Sequence, residues 1–167
     1  ALEDNYDQIA KRDNYVSYIA SRPRAQRAGA HALFTGSDAP LVLSQIAAEV
    51  AHHPGNVWLP IISLRREDAA RLGYDDAGQW KNLIAGYAME MAEAMKIPWE
   101  QFRWYAAFHD QGHHPHIHMV CYSADGRSGY LTREGIARIK SDLAKRIFHQ
   151  ELHELYERQT QRRDELT

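Results

Sequence analysis

The stretch FRWYAAFHDQGHHPHIHMVCYS, residues 102–123, decides how this chain is read. Residues 102–109 and 114–123 are rich in the aromatic and β-branched side chains that strands favour, and DQGH between them is turn-forming. The spacing predicts an antiparallel hairpin. Side chains alternate faces along a strand, so His116 and His118 share a face with Val120 and Tyr122. Their α-carbons lie roughly 6.8 Å apart at the usual rise per residue. Ile117, Met119 and Cys121 form the opposite face, apolar throughout and expected to be core. The histidine face is left as the working one.

Five of the ten histidines fall within residues 109–118. Two imidazoles at H-x-H spacing can converge on one ion about 2 Å from each nitrogen. His109 closes the first strand, and the hairpin returns it beside His116 or His118. Three neutral imidazoles hold a divalent cation and leave positions open for water or a substrate oxygen. His113 and His114 sit in or next to the turn, as outer neighbours or exposed residues. Asp110 is the candidate to orient a ligand by accepting its second N–H. Without an ion, the same histidines would form a patch that gains charge as pH falls through about 6.5.

A single imidazole-bound ion suits polarisation of a phosphate oxygen or a carbonyl. The nucleophile is then either metal-bound hydroxide or a side chain. Tyr15 and Tyr18, one helical turn apart, are the side-chain candidates, although tyrosines on an amphipathic helix also serve simply as packing.

Outward from the hairpin, residues 12–22 carry apolar or aromatic side chains at 15, 16, 18 and 19, which predicts a short helix ended by Pro23. Residues 41–52 are helical in pattern, with Leu43, Ile46, Ala47 and Val50 on one face. VWLPIISL, 57–64, reads as a buried strand whose Pro60 argues for an edge or a bulge. A long helix is expected over about 76–96, from the recurrence of Trp80, Leu83, Ile84, Tyr87, Met91 and Met95. Thr132 caps a helix carrying Ile136, Ile139, Leu143 and Ile147, and helix continues toward the end. The expected fold class is α+β, with helices covering a mostly antiparallel central sheet.

With 167 residues and 44% hydrophobic content, the chain has the size of one domain with a real core. No apolar run is long enough for a membrane span. The polar opening ALEDNYDQIAKRDNY does not read as a signal peptide, and Ala in first position leads us to expect residues upstream. A lone cysteine, Cys121, excludes an internal disulfide and suits the cytoplasm. The net charge of −2 does not announce a nucleic-acid binder. Locally, however, Lys11, Arg12, Arg22, Arg24 and Arg27 stand against Asp13 alone. Such a stripe is either a solvated helix face or a phosphate footprint.

FHDQGHHPHIHM resembles the third motif of conjugative relaxases of the HUH endonuclease superfamily, in which a distal histidine precedes an H-x-H pair. NYVSYIASRPRAQRAGAHALF looks like the N-terminal motif of their MobP-type (MobA/MobL-like) branch, where a tyrosine before an isoleucine attacks DNA. ISLRREDAARLGYD and WYAAFH are similar to that branch too, so the resemblance runs over nearly the whole chain.

The resemblance implies an HUH relaxase-like fold and a single catalytic domain over 1–167, with a strand expected ahead of it and further domains following in many relatives. Tyr18 matches the nucleophile, with Tyr15 the runner-up, and His109, His116 and His118 match the metal ligands. The implied reaction is nicking at the transfer origin of a mobile element, leaving a 5′-phosphotyrosine and a free 3′-hydroxyl. One divalent ion is implied, Mn²⁺ or Mg²⁺ ahead of Zn²⁺, Co²⁺ or Ni²⁺. The partners would be single-stranded origin DNA and accessory mobilization proteins.

Under that resemblance Arg22 and Arg24 become the first candidates for a backbone clamp, with Arg27 and Lys11 beside them. Tyr15, Tyr122 and Trp58 are candidates to stack on bases. Asp110, His31 and a metal-bound water are the candidate general bases. Two other readings compete: a metal-dependent hydrolase using bound hydroxide, and a non-catalytic DNA-binding module.

Overall fold

A computed structural model describes residues 12–166 of the chain. Its sheet is built on the predicted hairpin. Strand β3 (Phe102–His109) pairs antiparallel along its whole length with β4 (His116–Ser123), from Phe102 opposite Ser123 to His109 opposite His116. On the other side of β4, two short strands lie in tandem. These are β1 (Val57–Trp58), opposite Tyr122 and Cys121, and β2 (Ile61–Ser63), opposite His118 to His116. The sheet is therefore four-stranded and antiparallel among the described residues, with β4 at its centre.

Residues 57–64 do not form the single buried strand that their composition suggests. Pro60 lacks the N–H that a continuous ladder needs, so pairing breaks there, although its carbonyl still accepts from Met119. β2 then emerges as an exposed edge with only Ile62 partly covered.

Helices pack on both faces. Helix α1 (Arg12–Ser21) stops before Pro23 as expected, and α2 (Leu43–Ala51) packs beside it. A short α3 (Arg66–Leu72) follows β2, ended by Gly73 in left-handed geometry. Helix α4 (Ala77–Ala94) begins at an Asp76 cap whose carboxylate accepts from Gly78 N–H. After a 3₁₀ turn (Trp99–Gln101) and the hairpin come α5 (Arg133–Ile147) and α6 (His149–Leu166). The predicted Thr132 cap is present, accepting from Gly135 N–H.

The apolar face of β4 is core, as its alternation predicts: Ile117, Met119 and Cys121 are buried against the α4 and α5 stripes with Trp80, Ile84, Tyr87 and Met91. The histidine face is core too, which alternation did not reveal. Val120 and Tyr122 are buried there with Ala107 of β3 against Tyr15, Val16 and Ile19 of α1 and Ile46 and Val50 of α2. The result is a sheet between two helical layers, an α+β architecture.

Candidate metal centre

The centre lies at the open end of the β3–β4 hairpin. Directly opposed residues of an antiparallel pair share a face, which puts His109 beside His116, and alternation adds His118. Ring centroids are 4.5 Å apart for His109 and His118, 4.8 Å for His116 and His118, and 5.3 Å for His109 and His116. One ring nitrogen from each lies within 4.8 Å of those of the other two. Ligands about 2.1 Å from one ion stand roughly 3.4 Å apart at the tetrahedral angle, so modest ring rotation closes the triad on a cation.

Each ring has its second nitrogen engaged. His109 Nε2 lies 2.8 Å from the Ile19 carbonyl, and His116 Nδ1 lies 3.0 Å from the His114 carbonyl. Both can only donate there. His118 Nδ1 meets the Tyr15 hydroxyl at 3.2 Å. The nitrogens left for an ion are therefore Nδ1 of His109 and Nε2 of His116 and His118. Metal-binding histidines are fixed in this way, by outer partners that set tautomer and orientation. The residues fit a divalent ion.

Burial pushes the His109 imidazole down to about 4 and the His118 imidazole to about 3, with neighbouring imidazoles and Arg22 adding to the effect. Both are thus held neutral at ordinary pH, the state a cation requires.

The tyrosines of α1 divide by burial. Tyr15 is 1% exposed, and desolvation raises its phenol well above the usual range. Tyr18 is half-buried with the Arg22 guanidinium 4.5 Å over its ring. Helix and triad are joined through the Ile19 carbonyl, which accepts from His109, and through the Tyr15 hydroxyl on His118.

Other candidates lie elsewhere or act differently. The Asp110 carboxylate is taken by Arg66, which also donates to the Gly112 carbonyl, so it braces the turn while backbone carbonyls and Tyr15 orient the rings. Arg24 and Arg27 are exposed, the Arg24 carbonyl accepting from Asp110 N–H and the Arg27 guanidinium donating to the Ala30 carbonyl. Lys11 lies outside the described residues. Both His31 nitrogens serve their own loop, on the Leu41 carbonyl and the Leu33 N–H. Of the proposed stacking residues, Tyr122 is buried and donates to Glu49, while Trp58, opposite Cys121, faces the other side of the sheet. His113 and His114 are exposed, and His114 contributes only its carbonyl.

Three imidazoles that fit one cation, the Tyr15 phenol on His118 and, one turn along the helix, Tyr18 under the Arg22 guanidinium make a centre suited to phosphate chemistry. Residues 4–167 match the family model for MobL relaxases, and the chain belongs to that family. It is accordingly a DNA-nicking relaxase. No curated protein and no solved structure matches the chain. Among the described residues no helix is long and apolar enough to cross a membrane.

Proposed function

We propose that the chain nicks one strand at the transfer origin of a mobile element by tyrosine transesterification, as a MobP-type member of the HUH endonucleases. The observation that carries this reading is the convergence of the three imidazoles against the tyrosine helix, whose Ile19 carbonyl accepts from His109 and whose Tyr15 hydroxyl meets His118. The Tyr18 oxygen attacks the scissile phosphorus. As that bond forms, the bond from phosphorus to the 3′ oxygen breaks, giving a 5′-phosphotyrosine and a free 3′-hydroxyl. The phenolic proton passes to a base, and the departing 3′ oxygen takes one up.

His109, His116 and His118 would hold one divalent ion, Mn²⁺ or Mg²⁺ ahead of the softer alternatives. Held there, such an ion would supply Lewis-acid polarisation of a phosphate oxygen. Arg22 pairs with a phosphate oxygen next to Tyr18, and the exposed Arg24 and Arg27 offer further charge to the backbone, with Lys11 assigned to the same set on sequence alone. Accessory mobilization proteins and a cytoplasmic location belong to the same reading.

Tyr15 as the nucleophile is a second assignment, favoured by its contact with His118. Its burial and raised phenol speak against it, since DNA must reach the attacking oxygen and the proton must leave. The experiment is adduct formation on single-stranded oligonucleotides tiled across the element's candidate origins. Tyr18→Phe should abolish the denaturation-resistant protein–DNA adduct while ion binding persists. An adduct from that variant would move the role elsewhere, and free 5′-phosphate ends without any adduct would favour hydroxide attack.

A further inference from the structure

The α1 side of the sheet is covered unevenly. On β3, Ala107 and His109 are 0% and 2% exposed. They lie beneath α1 and behind the 25–34 segment, which bridges to β3 at Ala25–His109 and Phe34–Ala106. On the other side of β4, the register sets Ile61 against His118 and Ser63 against His116. Opposed residues share a face with Cβ atoms about 4.5–5.5 Å apart, so both side chains stand on the triad's face beside it. Yet Ile61 is 54% exposed, and Ser63 is exposed as well.

Val57 of β1 is still covered on this face, but at the β2 end the cover stops at β4, and the open flank of the centre lies over β2, on the side of half-buried His116. The strand itself is well anchored, because Ile62 packs into the core on the opposite face. Edge strands are ordinarily blunted with charge, whereas β2 keeps a bare isoleucine next to the centre. Arg65, exposed two residues beyond Ser63, ion-pairs at 3.5 Å with Asp68 and offers a charge at the end of the strand.

We infer that β2 is the floor over which the single-stranded substrate reaches the centre. Ile61 takes the apolar face of a nucleotide adjoining the scissile phosphate, and the Ser63 hydroxyl donates to a backbone oxygen beside His116. This rests on the triad being the nicking centre. An apolar platform with a backbone donor grips DNA without reading its sequence, which suits a position that must hold the strand in place for attack.

The test is binding of a fluorescein-labelled oligothymidylate at low salt, with chelator present, followed by anisotropy. Ile61→Asp should weaken binding about tenfold and Ser63→Ala about threefold. Met89→Asp is the control, because it adds the same charge at a 63%-exposed position on α4, across the sheet. Thermal unfolding of the Ile61 and Met89 variants should stay close to that of the parent. A photoreactive benzoylphenylalanine at position 61 should crosslink to the oligonucleotide, and one at position 89 should not. Equal affinities for Ile61→Asp and Met89→Asp would overturn the inference, as would a crosslink at 61 that is absent or joins two protein chains. The measurement uses neither an ion nor a covalent intermediate, so it can fail while the Tyr18 chemistry stands, and the reverse.

Discussion

The Tyr15 hydroxyl lies 3.2 Å from Nδ1 of His118, a contact between residues 103 positions apart in the chain. With Nε2 turned to an ion, Nδ1 carries the proton and donates it to the Tyr15 oxygen. On the proposed reading Tyr15 is then a ligand-orienting side chain, and Tyr18, one turn on, is the one proposed to meet DNA.

Tyr15→Phe should therefore keep the fold, losing one hydrogen bond worth about 1 kcal/mol. Its affinity for Mn²⁺ should fall about tenfold, the usual scale for losing an outer partner of a ligand. Titration calorimetry of the parent and the variant checks this. Unchanged affinity together with loss of the DNA adduct would instead make Tyr15 the attacking residue.

His116 is the least buried of the triad, so His116→Ala disturbs packing least. Mn²⁺ at about 100 times its dissociation constant should raise the melting temperature of the parent by roughly 5–10 °C. The same addition should leave His116→Ala nearly unmoved, and EDTA should reverse the parent's gain. Differential scanning calorimetry reads both.

The buried imidazoles give metal-free protein a pH dependence of defined sign. His109 and His118 have folded values of about 4 and about 3, below the ordinary 6.5. Between those limits the unfolded chain binds more protons than the folded one. Stability should hold above about pH 6.5 and fall steadily as pH drops toward 4. Melting curves in chelator across this range are the check, and His118→Gln should flatten the slope.

Gly129 takes φ +114°, and a Cβ there would stand 2.7 Å from the Trp58 ring and 3.0 Å from Ile97. Gly129→Ala should destabilise the domain by roughly 1–3 kcal/mol in denaturant titrations, through backbone strain and overpacking. Ion affinity should be unaffected, because Trp58 lies on the face away from the triad.

The hairpin and its histidines were legible because period-two alternation and a four-residue turn are local properties. They bring His109 back beside the H-x-H pair, whereas the register that sets it opposite His116, across a connection running from 110 to 115, is fixed by the folded hairpin and not by the spacing. What was not legible depends on docking. Histidine-face burial arises because α1 lies across the sheet, and no spacing within 114–123 encodes that. The division between the tyrosines left a fainter trace: Tyr15, Val16 and Ile19 make a buried stripe from which Tyr18 departs. Helix α3 escaped notice because seven residues hold too few apolar positions to set a period. Asp110 was the nearest carboxylate in sequence to the ligands, but Arg66, brought alongside by the turn after β2, claims it.

The central claim is that Tyr18 carries the DNA. Its most direct measurement is mass spectrometry of the adduct after nuclease and trypsin digestion. Both tyrosines fall in the peptide spanning residues 13–24, since trypsin does not cut Arg22 before Pro23, and fragment ions between them separate the two sites. A phosphonucleotide remnant on Tyr18 is the expected result. The same remnant on Tyr15, or on a residue outside this peptide, would contradict it.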